Sequence, residues 1–118
     1  MDSILTSVKK MLGLAEEYTP FDDDIIIMIN SVFADLTQMG VGPSEGFSIE
    51  DESSIWTDFI PDIIKLNSVK TYMYLRVKLL FDPASVGSST LASYERQIAQ
   101  WEWRLNIEAE SGKDNETT

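Results

Sequence analysis

The stretch of sequence that decides the fold runs from Ile63 to Leu105 and reads IIKLNSVKTYMYLRVKLLFDPASVGSSTLASYERQIAQWEWRL. Its first arm, residues 63–81, is apolar on nearly every face, and a helix of that kind must be covered on both flanks. In the second arm the apolar residues recur at spacings of three and four, the pattern of a packed helix pair. They are Leu91, Tyr94, Ile98, Trp101 and Leu105. The stretch therefore predicts two helices folded back on each other around Phe81-Asp82-Pro83.

Two more helices are predicted before this pair. A short one ends near Gly13, which is a residue type that commonly follows a helix. The next begins at Thr19-Pro20, with Thr19 as the cap and Pro20 at the first helical position. It carries apolar residues at helical spacing and ends near Gly40.

The segment 41–54 is the least regular part of the chain, because it contains glycines and a proline that interrupt helices. Within it, Phe47-Ser48-Ile49 alternates in the manner of a short strand or hairpin arm. The sequence therefore predicts an all-α fold. It is a small bundle of about four helices, with one long loop, or a loop with a short β-hairpin, between helices 2 and 3.

The length of 118 residues suits one compact domain. We assign residues 1–107 to a helical domain and residues 108–118 to a polar tail, because the tail has no apolar periodicity. Such a tail is expected to be mobile without a partner. No apolar run approaches the ~20 residues that span a bilayer, so no membrane partner is expected.

The charge is unevenly distributed along the chain. The formal net charge is −11; residues 1–64 hold thirteen acidic and two basic side chains, whereas residues 65–107 hold three acidic and six basic ones. One interpretation is a solvated surface that keeps the protein soluble. The other is a subunit with one acidic and one less acidic side, which suits head-to-tail packing against copies of itself. Binding of duplex DNA by its phosphates is not expected, since that requires clustered Lys and Arg.

No pattern of reactive groups accompanies the helical pattern. The chain has no His and no Cys, which removes the usual proton shuttle and the thiolate metal sites. The run Asp22-Asp23-Asp24 suits a helix start, and side chains ~100° apart around a helix do not converge on one ion. Glu50-Asp51-Glu52 lacks the alternating ligands of a calcium loop. We therefore predict that the protein is not an enzyme and has no catalytic residue, no cofactor and no metal site.

The three tryptophans receive different interpretations. Trp101 lies on the apolar seam of the last helix, which predicts a core position. Trp56 is interpreted as a plug that fixes the long loop to the bundle. Trp103 falls on another face beside Arg104, the composition of an interface anchor. The alternative for Trp103, a partly buried ring under the 41–54 loop, remains open at this point.

Several motifs, taken together, resemble one family. They are Phe21-Asp22-Asp23-Asp24-Ile25-Ile26, Trp56-Thr57-Asp58-Phe59-Ile60, Val69-Lys70-Thr71-Tyr72, Leu79-Leu80-Phe81-Asp82-Pro83, Glu95-Arg96-Gln97-Ile98 and Glu102-Trp103-Arg104-Leu105. This set resembles the head–tail connector (adaptor, or head-completion) proteins of bacteriophages with long tails, over roughly residues 3–109. The most specific part is Leu-Leu-Phe-Asp-Pro followed about twenty residues later by Glu-Trp-Arg-Leu.

The resemblance implies a structural virion protein that is present in the host cytoplasm during assembly. It implies docking on the portal protein at the capsid vertex and assembly there into a ring, twelvefold to match the portal. The ring would extend the DNA channel and receive the next head-completion (stopper) or tail-side protein. It also implies that the C-terminal segment, here about residues 103–118, reaches the portal.

Three groups of candidate site residues follow. The interface with the portal or another partner is assigned to Trp103, Arg104, Ile107 and Glu108. Contacts between subunits, in which basic side chains meet acidic neighbours, are assigned to Lys65, Lys70, Arg76 and Lys78. The channel, through which DNA passes without specific binding, is expected to be lined by acids that repel it. The candidate acids are Asp22, Asp23 and Asp24, or Glu50, Asp51 and Glu52.

A second class of function is an acidic mimic of DNA that inhibits a nucleic-acid-binding protein. That function predicts carboxylates spread along one exposed face at the spacing of phosphates. In this sequence the acids cluster instead at a helix start, in a loop and in the tail. A small hydrolase that relies on carboxylates is a third class, and it requires a convergence of acids that their spacing does not supply.

Overall fold

The computed structural model describes the backbone of residues 3–85 and 87–117, and the side chains of residues 3–84 and 87–109. Five α-helices lie in these ranges, together with a short 3-10 turn at Pro83–Ser85. They are α1 (Ile4–Met11), α2 (Asp22–Gln38), α3 (Trp56–Phe59), α4 (Ile63–Phe81) and α5 (Ser88–Thr117). The prediction of a small all-α bundle is confirmed.

Helix α4 is the centre of the bundle, and α1, α2, α3 and α5 all contact it. Most of this almost uniformly apolar helix is therefore covered, as expected, but Ile63, Ile64 and Leu80 stay exposed. Its start is fixed by Asp62, whose side chain accepts hydrogen bonds from the backbone N–H groups of Ile64 and Lys65. It ends at Phe81, before Pro83, as the sequence predicts.

Helix α2 begins two residues later than predicted, and Thr19 does not cap it. The helix starts at Asp22, its N-cap is Phe21, and no side chain caps it. The carbonyl oxygen of Thr19 instead accepts a hydrogen bond from the N–H of Asp22 at 3.1 Å, within a turn that precedes the helix. The Phe21 ring packs edge-on against that of Phe81, 5.5 Å between centroids, and this tertiary contact holds the turn.

The loop between α2 and α3 forms no hairpin, although all of its residues are described. The side-chain amide of Asn30 takes the place of a strand partner, because its Nδ2 donates to the carbonyl of Ile49 at 3.0 Å. The N–H of Ile49 donates back to Asn30 Oδ1 at 2.8 Å. Among the described residues, β-pairing is limited to an isolated antiparallel bridge between Ser3 and Ile55.

Helix α5 runs antiparallel to α4 and continues without a break across residues 107 and 108 to Thr117. The division of the chain at that point, and the mobility of residues 108–118 without a partner, stay predictions. Among the side chains of α5 that are described, Leu105 alone is fully buried. Within the described ranges, none of the helices combines the length and the apolar character that crossing a membrane requires.

Candidate assembly surfaces

An apolar groove of about 390 Å³ opens where the start of α4 meets the second half of α5 and the beginning of the loop after α2. We call it the apolar groove. Apolar side chains and loop backbone form most of its wall, and two charged side chains, Lys65 and Glu108, complete it. Its lining consists of Gly40, Val41, Gly42, Pro43, Phe59, Ile60, Pro61, Lys65, Val69, Leu105, Glu108 and Ala109. The sequence predicts different contacts for Lys65 and Glu108, and the structure brings the two residues to one surface.

The loop side of the groove is formed by a close approach of backbone to an aromatic ring. Gly42 has a φ of +86°, a backbone conformation that side-chain-bearing residues rarely adopt. A Cβ atom added at this position would overlap the ring of Phe59. That ring is in turn held by Phe33, 4.6 Å away between centroids. Glycine is therefore required at residue 42 for the loop to form this wall.

The opposite face of α5 is exposed. Five residues lie within an arc of about 80° around the helix, by the usual 100° per residue, and all five are exposed. They are Ala92, Arg96, Ala99, Trp103 and Ile107, and we call them the Trp103 face. The exposed fraction is 66% for Trp103 and 44% for Ile107. Packing of Trp103 under the loop, the alternative left open by the sequence, is therefore not observed.

Arg104 lies beside this face and contacts a different tryptophan. Its guanidinium carbon is 5.1 Å from the centroid of the Trp101 ring, a cation–π contact within one helical turn. Trp101 is partly buried and packs against the core, as the seam position predicted. The charge of Arg104 is thus held at the margin of the Trp103 face, and the predicted role of both residues in a partner contact stays a prediction.

A hydrogen-bonded network joins the three long helices. Arg76 on α4 donates to Asp35 on α2, with Nη2 2.7 Å from Oδ2, and also to the hydroxyl of Tyr72. Tyr72 donates to Glu102 on α5 at 2.9 Å. Arg76 thus already forms hydrogen bonds within its own subunit. The predicted contact with a neighbouring subunit would have to add to these hydrogen bonds or replace them.

The network shifts two pKa values. Burial raises the pKa of Tyr72 to about 12, and the hydrogen bond to Glu102 adds to this, while the positive charge of Arg76 opposes it. Burial disfavours the charge of Arg76, but the hydrogen bonds to Asp35 and Tyr72 outweigh it and raise the pKa of the guanidinium. Tyr72 therefore stays protonated and remains a donor to α5 throughout the physiological pH range.

The three lysines predicted at subunit contacts have different surroundings. Lys65 is exposed at the apolar groove. Lys70 is half-buried, with its Nζ 5.7 Å from the centroid of the Trp56 ring. Lys78 is half-buried near the end of α4. The structure does not bring the three together on one patch with Arg76, and their contacts with other subunits stay predictions.

The candidate channel acids also divide by their surroundings. Asp22 pairs with the buried Lys9, 2.8 Å between Oδ1 and Nζ, and that ammonium also donates to the carbonyl of Glu16. Asp23 and Asp24 are exposed at the start of α2. Lys9, only 2% exposed, was missed by the sequence analysis, because its partners are seven and thirteen residues away.

The second group of candidate channel acids, residues 50–52, approaches the first group, residues 22–24, through Glu52. Glu52 and Asp22 line the same small cleft, together with Lys9. Asp51 accepts hydrogen bonds from the hydroxyl and the N–H of Ser53, and these lower the pKa of its carboxyl group. Glu50 is exposed. In the described ranges no three acidic side chains are close enough together to hold a metal ion.

A comparison with protein families gives one match, to the family described as phage connector protein, over residues 4–112. The chain belongs to this family. The match begins at the first residue of α1 and continues through the bundle, the apolar groove and the Trp103 face into the last turns of α5. The chain matches no curated protein and no solved structure.

Membership confirms the resemblance that the sequence motifs indicated. A phage connector protein is a structural component of the virion that interacts with other head and tail proteins. The surfaces described above are therefore surfaces of an assembly protein. The absence of an enzymatic activity stays a prediction.

Proposed function

We propose that the protein is a head–tail adaptor that docks on the portal, forms a ring there and extends the DNA channel. The ring, twelvefold to match the portal, receives the next head-completion or tail-side protein, and the chain is in the host cytoplasm until assembly. The observation that carries the proposal is the family match over 109 residues, 4–112, which includes both exposed surfaces of α5. The structure supports it through a compact bundle on which one long helix is left largely uncovered.

The C-terminal part of α5 supplies the contact with the portal or another partner in this proposal. Trp103 and Ile107 are large apolar residues that water surrounds in the isolated chain, and such residues are frequent anchors in protein interfaces. Arg104 and Glu108 lie at their margins and are exposed. The helix extends ten residues beyond Ile107, to Thr117, which gives this region the reach to meet a larger partner.

Charge separation supports head-to-tail packing in a ring. A heterologous contact joins two different patches, so a basic patch on one copy must face an acidic patch on the next. Lys65, Lys70 and Lys78 are the basic candidates without an ion pair among the described residues, and Lys70 lies over the Trp56 ring, which makes the other two the freer candidates. The exposed acidic candidates for the channel are Asp23, Asp24, Glu50, Asp51 and Glu52. Asp22 is less suited to that role, because it is paired with Lys9.

The test is the particle mass of the purified chain, alone and mixed with the portal from the same phage. We expect a monomer or small species that becomes one defined complex with twelve copies on each portal. A chain that ignores the portal contradicts the proposal. If that chain instead binds a DNA-binding enzyme tightly and in a salt-sensitive manner, the acidic DNA mimic becomes the better account.

Charge reversal tests the contacts between subunits in the same assay. Lys65→Glu and Lys78→Glu are expected to reduce the number of copies on the portal. Lys10→Glu is the matched control, because Lys10 is an exposed lysine on α1, away from both surfaces of α5. Unchanged assembly of both variants would contradict the assignment of these lysines and leave portal docking intact.

A further inference from the structure

The apolar groove and the Trp103 face lie on opposite sides of the same helix. Trp103 and Leu105 are two residues apart, which places them about 200° apart around α5. Leu105 lines the groove and is buried, whereas Trp103 is 66% exposed. A subunit with this geometry cannot fill its own groove with its own Trp103. A second copy placed beside it is able to do so.

We infer that Trp103 of one copy inserts into the apolar groove of the next copy. The inference rests on the proposed function, because it names the contact by which neighbouring subunits in the ring hold each other. It is a heterologous contact, since one copy contributes the Trp103 face and the other contributes the groove. Each copy therefore has two neighbours, one at each side of α5. Repetition of such a contact produces a ring when its rotation closes, and the portal beneath would set that rotation in the proposed assembly.

The chemistry of the two surfaces matches. The groove of about 390 Å³ has walls of Val41, Pro43, Phe59 and Val69, which suit an aromatic side chain. A tryptophan buries roughly 150–250 Å² and is the residue type most enriched among the strongest interface contacts. Transfer of the exposed ring into such a groove removes apolar surface from water on both copies at once.

The charges around the two surfaces are also complementary. At the groove, Lys65 on α4 and Glu108 on α5 are exposed. On the other side of α5, Glu95 and Arg96 are exposed next to each other, two turns before Trp103. None of the four has an ion-pair partner among the described residues. Each surface thus offers one charge of each sign, which favours one orientation of the two copies and disfavours the reverse.

We choose a second copy as the occupant of the groove, rather than a different protein, because each copy carries both matching surfaces. The groove and the Trp103 face lie on the same helix, so their relative position is the same in every copy. Trp103 is then taken up by the neighbouring copy, and the portal contact is assigned to the helix beyond Ala109, outside the residues that define the groove and the Trp103 face. A portal segment in the groove is the competing occupant, and the experiment below separates the two.

Cysteine cross-linking tests the contact directly, since the natural chain contains no cysteine. One variant carries Gln100→Cys, beside the Trp103 face, and a second carries Lys65→Cys, at the groove; both positions are exposed. The two are mixed in equal amounts on the portal and oxidised. We expect covalent dimers that contain one copy of each variant, and none when either variant is used alone. Addition of Trp103→Ala to the Gln100→Cys chain should reduce the yield at least tenfold.

A matched control uses Ser31→Cys, at an exposed position on the far side of α2, mixed with Lys65→Cys, and should give no dimer. Dimers from a single variant alone would indicate a two-fold contact and overturn the inference. Rings that form on the portal without any mixed dimer would also overturn it, while leaving the proposed function intact. Failure of the natural chain to form a ring would contradict the proposed function as well.

A second pair of variants uses charge and does not depend on disulfide geometry. We expect Arg96 of one copy to lie opposite Glu108 of the next. Arg96→Glu and Glu108→Arg should each weaken ring formation, because each places two like charges together. The two changes in one chain should restore it, because opposite charges then meet again at every contact. Equal loss in the double variant would contradict the predicted pairing. Circular dichroism of each variant checks that the bundle is still folded.

Discussion

Trp56 and Trp103 show how differently two regions of this molecule use the same residue type. Trp56, at the start of α3, is 0% exposed, and its indole Nε1 donates to the hydroxyl of Ser7 on α1 at 3.2 Å. Trp103, on α5, is 66% exposed and makes no ring contact with the described residues. The helices α1–α4 and their loop thus form a nearly complete core, whereas α5 covers α4 with one side and leaves the other side in water.

The two regions are therefore expected to have different roles, one in folding and the other in assembly. Residues of α1–α4 and the loop determine the fold, because almost all the buried apolar side chains come from them. Helix α5 adds Leu105, the partly buried Ile98 and Trp101 and the hydrogen bond from Tyr72 to Glu102, and its outer face is the surface that we propose for assembly. Substitutions in the first region should therefore change stability, and substitutions on the outer face of α5 should change assembly.

The sharpest contrast is expected between Trp56→Ala and Trp103→Ala. Trp56→Ala should lower the free energy of unfolding by about 3–5 kcal/mol, because it opens a cavity in the core and removes the partner of Ser7. Trp103→Ala should change it by less than about 0.5 kcal/mol, as is usual for exposed positions. Urea unfolding followed by circular dichroism measures both. Similar losses in the two variants would contradict the division between the regions.

Gly42→Ala tests the wall of the apolar groove. The substitution should destabilise the protein by about 1–2 kcal/mol through the left-handed backbone and by about 1–3 kcal/mol more through overlap with Phe59. Gly13→Ala is the matched control, since its φ is +84° but no atom lies within 4 Å of the added Cβ. Thermal unfolding of both variants gives the difference. Equal shifts in Tm would mean that the contact with Phe59 is unimportant.

Asp22→Asn tests whether the buried ion pair with Lys9 holds α1 to α2. Loss of the charged partner should cost about 1.5–3 kcal/mol, because the ammonium of Lys9 stays buried and keeps only neutral acceptors, the carbonyl of Glu16 and the amide oxygen at residue 22. Asp24→Asn is the control: it removes only an exposed charge at the helix start, worth about 0.3–1 kcal/mol. Chemical denaturation should rank the two variants in that order, and the opposite ranking would contradict the role of Lys9.

The smallest effect is expected for Tyr72→Phe, which removes the link between α4 and α5. At neutral pH it should cost about 1–2 kcal/mol, because the hydroxyl donates to Glu102 and accepts from Arg76, and Arg76 keeps Asp35 as a partner. The pKa of Tyr72 is about 12 in the folded protein, against an ordinary value of 10.0. The bond therefore contributes fully below about pH 10, and its contribution is lost as the pH rises towards 12. The difference in stability between the natural chain and Tyr72→Phe should shrink over that range; a constant difference would contradict the assignment.

The order of the helices and the orientation of α5 could be predicted from the sequence. The alternation of three and four residues from Leu91 to Leu105 placed Trp101 on the inner face and Trp103 off it, and the structure agrees. The end of α4 before Pro83 and its start after Asp62 depend on local backbone preferences, which act within a few residues. Such signals are readable because the residues that determine them are adjacent.

The rest of the fold and of the candidate surfaces depends on contacts between residues that are distant in the sequence. The subunit contact of Arg76 stays a prediction, whereas its pairing with Asp35, 41 residues away, was not predicted. The hairpin expected around Ile49 is absent because the side chain of Asn30 supplies the hydrogen bonds that a second strand would have given. The apolar groove forms only where the loop, α4 and α5 meet, so no local sequence pattern predicts it.

The central claim, that the two sides of α5 join neighbouring copies in a ring on the portal, is tested most directly by electron cryomicroscopy of the chain bound to its portal. We predict a closed ring in which Trp103 of each copy lies in the groove beside Val69 of the next, with the end of α5 directed to the portal. A ring with Trp103 exposed to solvent, or a portal without bound copies, would contradict the account.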